Sequence, residues 1–405
     1  MASMPGEEFD LIVVGGGPAG MMAGLLFARA GGRVMVLEKH PDFLHDFRGD
    51  TVHPSTMEIL DQLGMLERFL ECPHHKLHKA QFRLAGRMWT IGDLSRLRTV
   101  APFAVILPQW DFLDFLRRQA ESFPGFQLAM SSPVESFVEA DGRVCGVRLA
   151  DGSTVRARLT VAADGRHSLA RTMLPAESLA VPIDVFWFNV PKTEPGGDAL
   201  RGSIERGRIL VMIDRGDHWQ CALLIAKGGA EELKAGGIEP IKRAIRTTAP
   251  ELDLSALTKV DDLHLLNVTL DRLRRWSKPG LLAIGDAAHA MSPIGGIGIS
   301  LAIQDAVAAA NLLAGPLASG EDVDARLHRV QKRRLFPTRV VQFVQRIVQD
   351  RIFAPILEPG EPIREVPLAV RLIDRTPLLQ DIPAHFVGLG VRRERVRSPE
   401  ADRRP

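Results

Sequence analysis

The stretch Phe9–Glu38 limits what this chain can fold into more than any other, because it reads as strand, glycine turn, helix and strand in succession. Leu11, Ile12, Val13 and Val14 make a short apolar run suited to a buried parallel strand. Gly15, Gly17 and Gly20 follow in G-x-G-x-x-G spacing, with Pro18 and Ala19 inside the motif. The first glycine permits the tight turn, the second lets the backbone approach a pyrophosphate, and the third lets the helix pack on the strand. Met21, Leu25, Leu26 and Ala28 continue an apolar helix, Gly31 and Gly32 stop it, and Val34–Leu37 form the next strand, closed by Glu38. A carboxylate about 20 residues beyond the glycines accepts the hydroxyls of an adenosine ribose and repels a 2′-phosphate. The unpaired N–H groups and positive dipole end of the helix favour the diphosphate. These are the needs of the adenosine-diphosphate half of FAD or NAD. A glycine turn that binds nothing is the competing reading, and the strand, helix and terminal acid in register weigh against it.

With 405 residues the chain has room for two substantial domains. Its 45% hydrophobic and 25% charged residues and formal charge of +2 make no case for nucleic acid. Cys72, Cys145 and Cys221 are odd in number and widely spaced, which fits reduced thiols rather than a disulfide framework or a zinc site. Glu7, Glu8 and Asp10 lack the basic-then-apolar order of a signal peptide, and glycines and a proline interrupt the apolar run Leu11–Ala28, so a cytoplasmic protein without membrane insertion is expected. The chain has no tyrosine, so no phenol can relay protons here.

Beyond Glu38 a loop, His40–Pro54, carries Arg48, Gly49 and Asp50. Ser55 and Glu58 have capping-box spacing before a helix with Ile59, Leu60, Leu63, Leu66 and Phe69 on one face. His74, His75 and His78 are expected in a solvated polar turn, with no metal. The alternation through Lys79–Trp89 predicts an early excursion into a second sheet, and Gln109 precedes a helix. Val134–Val138, Val144–Leu149 and Thr154–Ala162 read as a β-meander ending in Asp164-Gly165. Val185–Val190, Gly202–Ile213 and His218–Lys227 predict antiparallel sheet, with a helix at Glu239–Thr248, and Trp187, Trp219 and Cys221 are candidate pocket walls. Leu281–Ile284 forms another buried strand ending at Gly285-Asp286, and a second glycine-rich loop, Pro293–Gly298, leads into a helix at Ser300–Leu313. Helical sequence follows to Ile352, and Arg392–Pro405 is expected to be a solvated tail.

Together three separated motifs resemble the group A flavoprotein monooxygenases, the para-hydroxybenzoate hydroxylase family. They are Gly15–Gly20 with Glu38; Asp164-Gly165 with Ser168 and Arg171; and Gly285-Asp286-Ala287-Ala288-His289, followed by Pro293 and its glycines. The resemblance covers Phe9–Leu313 and implies an α/β fold: a Rossmann-like FAD-binding domain, a β-sheet substrate domain and C-terminal helices. It divides the chain into FAD-binding parts at 1–78, 99–180 and 277–320, substrate-domain strands at 79–98, a substrate-binding sheet at 181–276 and C-terminal helices and tail at 321–405.

By the same resemblance Glu38 and Lys39 would serve the adenosine ribose, Arg48 would lie near the flavin as a catalytic residue with Pro293, and Gln109 would contact the ribityl-diphosphate. Asp164 and Gly165 would serve FAD and the NADPH groove, and Gly285 and Asp286 the ribityl chain. Pro293, Gly296, Gly298, Ile299 and Ser300 would line the flavin's pyrimidine edge, where backbone N–H groups stabilise reduced-flavin charge. The family usually carries asparagine at the position of Ser300. The implied activity is hydroxylation with NADPH or NADH and O2 through a flavin hydroperoxide. The missing tyrosines argue against a para-hydroxybenzoate-like substrate, and the apolar pocket candidates favour an apolar aromatic or quinone-like one. A flavin reductase of isoprenoid double bonds and a non-catalytic flavin-binding protein remain as alternatives. His53, His289 and a water chain stay open as proton acceptors.

Overall fold

The computed structural model describes residues 8–44, 51–193 and 197–401. Five parallel strands, Glu8–Val14, Val34–Leu37, Phe126–Ala129, Thr154–Ala162 and Leu281–Ala283, make the body of an eight-stranded sheet. Numbered along the chain, they lie side by side in the order 3-2-1-4-5. That is the doubly wound order, in which a crevice opens at the carboxyl ends where the winding reverses, between strands one and four. The fingerprint helix, Pro18–Arg29, starts with proline at its first position, where the missing N–H costs nothing. It lies close on the sheet because Gly24 has no side chain: a Cβ there would stand 2.6 Å from Val36 Cγ2. The long helix Gly298–Ala318 and the helix Gln109–Ala120 pack against it in one continuous core.

The meander expected before Asp164 forms, as Val134–Ala140, Arg143–Leu149 and Thr154–Ala162. The second sheet has seven strands, in the order His264–Leu266, Ile183–Pro191, His218–Ala226, Arg208–Asp214, Ala199–Glu205, Lys79–Leu84 and Arg87–Asp93. Lys79–Leu84 is thus an early strand that joins partners more than a hundred residues later, and it pairs parallel with Ala199–Glu205. Gly202 makes room for it: a Cβ there would sit 2.3 Å from the Phe82 ring. The run expected over Gly202–Ile213 is two strands, because the chain reverses at Gly207, whose φ is +80°.

The two faces of this sheet have different neighbours. Phe186, Phe188, Trp219, Cys221 and Leu223 share a cluster with Ile241 and Ile245 of the helix Ile238–Thr248. Val185, Trp187, Val211 and Ala222 point the other way, into a cluster with Ile294 of the second glycine loop and with Phe353 and Ile356. Alternation along a strand therefore separates the three pocket candidates. Trp187 faces the glycine loop, whereas Trp219 and Cys221 pack the sheet onto its helix.

Three other expectations change. The capping box at Ser55 and Glu58 does not form: Pro54 starts the helix Pro54–Gln62, so His53 becomes the N-cap and Ser55 lies inside the first turn. Glu58 instead accepts hydrogen bonds from Thr99 and Arg393. His75–Leu77 is a short strand paired with Ala104–Ile106, not a turn. Among the described residues no His, Cys, Asp or Glu group is placed to hold a metal. The C-terminal segment, as far as residue 401, is a strap on the nucleotide domain rather than a solvated tail. Arg29 donates to the Ser398 carbonyl at 3.0 Å and pairs with Glu400 at 2.6 Å, and Asn311 exchanges bonds with Arg395 and Arg397. Arg393, Glu394 and Glu400 of this segment each meet a fixed counter-charge. The helix long and apolar enough to cross a membrane, Ile294–Ala318, is mostly buried within the fold.

Burial also pushes the Cys221 thiol pKa up, so the reactive thiolate is disfavoured. Thiol titration of the native protein is expected to leave Cys221 unmodified until denaturant is added, while the partly exposed Cys72 and Cys145 react; native labelling of Cys221 would contradict the assignment of its face.

Candidate functional site

The three motifs follow the carboxyl ends of three adjacent parallel strands, paired in register as Val14↔Ala162 and Ala162↔Ala283. The turn of the first motif lies directly on the second: with φ of +99°, Gly15 would place a Cβ 2.6 Å from the Ala163 carbonyl and 2.8 Å from Asp164 Cα. Gly20 is equally constrained, since a Cβ there would stand 1.9 Å from the Gly15 carbonyl. The third motif meets the first through Gly285, whose Cβ would come 2.9 Å from that of Ala19. Gly17, by contrast, faces open space. The glycines thus close the backbone on itself and leave one bare face at a helix N-terminus, which is an anion cradle.

Around that face stand the acids. Glu38 is buried, its Oε2 accepting from the Gly16 N–H at 2.7 Å and its Oε1 from the His40 N–H at 3.0 Å. It braces the glycine turn, a task that spacing did not reveal. Lys39, next to it, is exposed. Asp164 accepts from the Leu169 N–H at 2.9 Å through Oδ2, while Oδ1 is buried with no hydrogen-bond partner. Burial raises the Asp164 pKa, outweighing the bonds from Ser168 and Leu169. A buried acceptor oxygen without a partner calls for a hydroxyl or water donor, and Asp164 lies directly against the Gly15 turn, so the residues fit a dinucleotide. Asp286 is about one-third exposed and lies 3.8 Å from Arg166. Desolvation raises its pKa, and Arg166 leads the opposing influences.

Arg171, the last residue of the second motif, donates to the Asp286 carbonyl at 3.1 Å and to Asp271 at 2.8 Å. It ties the second motif to the third. In the loop Pro293–Gly298, Gly295 and Gly296 have φ of +80° and +62°, and Gln345, far along the chain and absent from any motif, clamps Ser292 and Ile294. Ser300 is buried beside Thr56, 3.4 Å between hydroxyls, and Gly298 faces open space at the start of its helix. Gln109 is the buried first residue of its helix. Arg48 lies outside the described residues.

The two histidines left open as proton acceptors are both confined. His289 is 1% exposed and bonded to Asp305 at 2.6 Å. His53 is 3% exposed and hydrogen-bonded through Nε2 to the Gly295 carbonyl at 2.9 Å, an arrangement that makes this nitrogen the donor. Burial lowers its pKa from 6.5 to about 4, so His53 is a neutral brace for the glycine loop and a poor general base near neutral pH.

The comparisons with known proteins agree with this geometry. The family described as FAD binding domain matches residues 8–344. A 6-methylpretetramide 4-monooxygenase of Streptomyces rimosus is 34% identical over 97% of this chain and 95% of its own length. A para-nitrophenol 4-monooxygenase of a Pseudomonas species is 26% identical over 86% of this chain and 92% of its own. Among solved structures, PqsL of P. aeruginosa in complex with 2-aminobenzoylacetate superposes with a TM-score of 0.75 at 20% identity, over 87% of this chain and 99% of that one, a likeness of fold.

Two measurements follow. Glu38→Gln exchanges a charged acceptor of the Gly16 N–H for a neutral one, and FAD binding is expected to weaken about 10- to 100-fold by fluorescence titration of the apoprotein. Because folded His53 resists protonation, stability falls as pH drops from 6.5 towards 4, by up to about 3 kcal/mol from this residue. Denaturant unfolding at several pH values is expected to show a flatter acid limb for His53→Gln than for the wild type.

Proposed function

This chain belongs to the FAD-binding-domain family, among the group A flavoprotein monooxygenases, and from that premise we propose that it hydroxylates an apolar aromatic or quinone-like small molecule with O2 and NADPH or NADH. The observation that carries the proposal is the meeting of Gly15, Asp164 and Gly285 at one crevice, with a buried acceptor oxygen of Asp164 left for the bound group. The 6-methylpretetramide 4-monooxygenase, with a protoasukamycin 4-monooxygenase and a 12-dehydrotetracycline 5-monooxygenase/anhydrotetracycline 6-monooxygenase among the relatives, supports the substrate class. Bound there, FAD supplies hydride acceptance from the nicotinamide and transfer of one oxygen atom of O2 to the substrate.

The protein's share is binding, orientation and exclusion of water. Gly15, Gly17, Pro18, Ala19 and Gly20 take the diphosphate; Glu38 and Lys39 take the adenosine ribose; Gln109, Asp164, Gly165, Gly285 and Asp286 take the ribityl chain and its phosphates. Pro293, Gly296, Gly298, Ile299 and Ser300 border the pyrimidine ring, where the N-terminus of the helix Gly298–Ala318 favours negative charge. In the substrate sheet, Trp187, Val211 and Ala222 face the cluster of Ile294, Phe353 and Ile356. Apolar walls of this kind keep water from the reacting centre.

Trp187 adds one polar group to those walls. Its indole Nε1 is buried and has no partner, so it is available to an acceptor oxygen on the ring system of the substrate. With no tyrosine in the chain, this donor and the substrate's own hydroxyl carry the orientation.

The decisive assay is simultaneous NAD(P)H oxidation and oxygen uptake by the yellow protein across a panel of aromatic compounds. A stimulating compound should appear hydroxylated, with one O2 consumed per product. Oxidation without oxygen incorporation would make the protein a reductase, and a flavin that no nicotinamide reduces would make it a binding protein. Trp187→Phe is expected to raise KM about fivefold for an oxygen-bearing substrate, the loss of one hydrogen bond, with FAD binding unchanged.

A further inference from the structure

Behind the Gly285-Asp286 turn lies a buried polar network that reaches from the third motif, through Gly285 and His289, to residues outside every motif. Asp305, on the long helix, is completely buried and accepts three bonds: from the Gly285 N–H at 3.1 Å and His289 Nε2 at 2.6 Å through Oδ2, and from Arg334 Nε at 2.8 Å through Oδ1. Arg334, also 0% exposed, reaches on to Glu394 of the C-terminal strap at 3.5 Å and to the Arg392 carbonyl at 3.4 Å. Glu394 is itself buried; it takes Arg333 at 2.6 Å, and its N–H donates to Gln304 at 3.3 Å. Trp276 covers His289, with ring centroids 5.0 Å apart.

Stability alone gives no reason for this arrangement. Taking such ions out of water costs several kcal/mol each, and well-packed apolar residues of the same volume are often as stable. The strap adds backbone strain, since Arg392 is a non-glycine residue with φ of +55° that delivers its carbonyl to Arg334. What apolar residues cannot supply is an acceptor for the Gly285 N–H, in a turn that needs φ of +58° and places Asp286 at the crevice. Burial pushes the Asp305 carboxyl up, but His289 and Arg334 outweigh it and hold the group ionised.

We infer that Asp305 and Arg334 are positioning residues for the cofactor, and that the strap residue Glu394 completes a clasp which keeps the Gly285-Asp286 turn in its FAD-binding shape. The inference rests on the assignment of that turn to FAD, and it makes the C-terminal segment part of the cofactor site although it touches none of the three motifs.

The test compares the full-length protein with Asp305→Asn, Arg334→Ala, Arg334→Lys, Glu394→Gln and a chain ending at Gly390. Glu400→Gln is the control, since it alters the same strap at its pair with Arg29, outside the network. The FAD dissociation constant of each apoprotein and its Tm with and without saturating FAD are measured. Asp305→Asn and the shortened chain are expected to weaken FAD binding at least about tenfold and to shrink the rise in Tm that FAD produces. Arg334→Lys should restore part of what Arg334→Ala loses, and Glu400→Gln should bind as the wild type does. FAD binding within about threefold of wild type in Asp305→Asn, or an equal loss of Tm with and without FAD, overturns the inference. If Asp305→Asn does not fold, Glu394→Gln decides in its place by the same criteria. A wild-type protein that binds no FAD would instead remove the cofactor reading itself.

Discussion

The architecture depends on one close backbone approach, that of Gly15 to the Ala163 carbonyl across the reversal point of the doubly wound sheet. Neither side could move apart without losing the register of Val14 on Ala162, and neither could come closer. A side chain at residue 15 would meet the carbonyl at 2.6 Å, so the turn is possible only for glycine. Once it forms, the bare N-terminus of the fingerprint helix and the unpartnered oxygen of Asp164 share one crevice.

The seven-stranded sheet has two faces with different neighbours. The face bearing Phe186, Phe188, Trp219 and Cys221 is closed by a helix and serves stability. The face bearing Trp187 and Val211 turns to the second glycine loop, whose shape is set from outside by His53 on one flank and Gln345 on the other. His53 does this as a neutral imidazole, because an ion would have to be buried at the same place.

Buried charge is concentrated where remote parts of the chain must agree. Arg171 joins the second motif to the third, and Asp305 with Arg334 joins the third motif to the strap. Such pairs add little net stability, yet each fixes a geometry that apolar packing leaves free. The C-terminal segment follows this logic: its Arg393 and Glu400 face counter-charges on the nucleotide domain, and its Glu394 faces Arg333 and Arg334 of the helix Asp324–Val348.

Much of this was legible in the order of residues, and where it was not the cause is physical. The fingerprint turn, its helix, Glu38 and the approximate limits of most strands are local matters, since glycine spacing and apolar period act within a few residues of themselves. Capping failed at Ser55 because Pro54 fixed its own φ first, and the strap read as tail because its partners, Glu58, Arg29 and Asn311, are remote in sequence. The sequence by itself determined that a nucleotide turn would form and of what kind. Only the tertiary structure decided which face of the second sheet Trp187, Trp219 and Cys221 would take, and that Asp305, Arg334 and Gln345 would stand behind the loops. Strand parity and long-range pairing are properties of register, and register exists only once the strands have met.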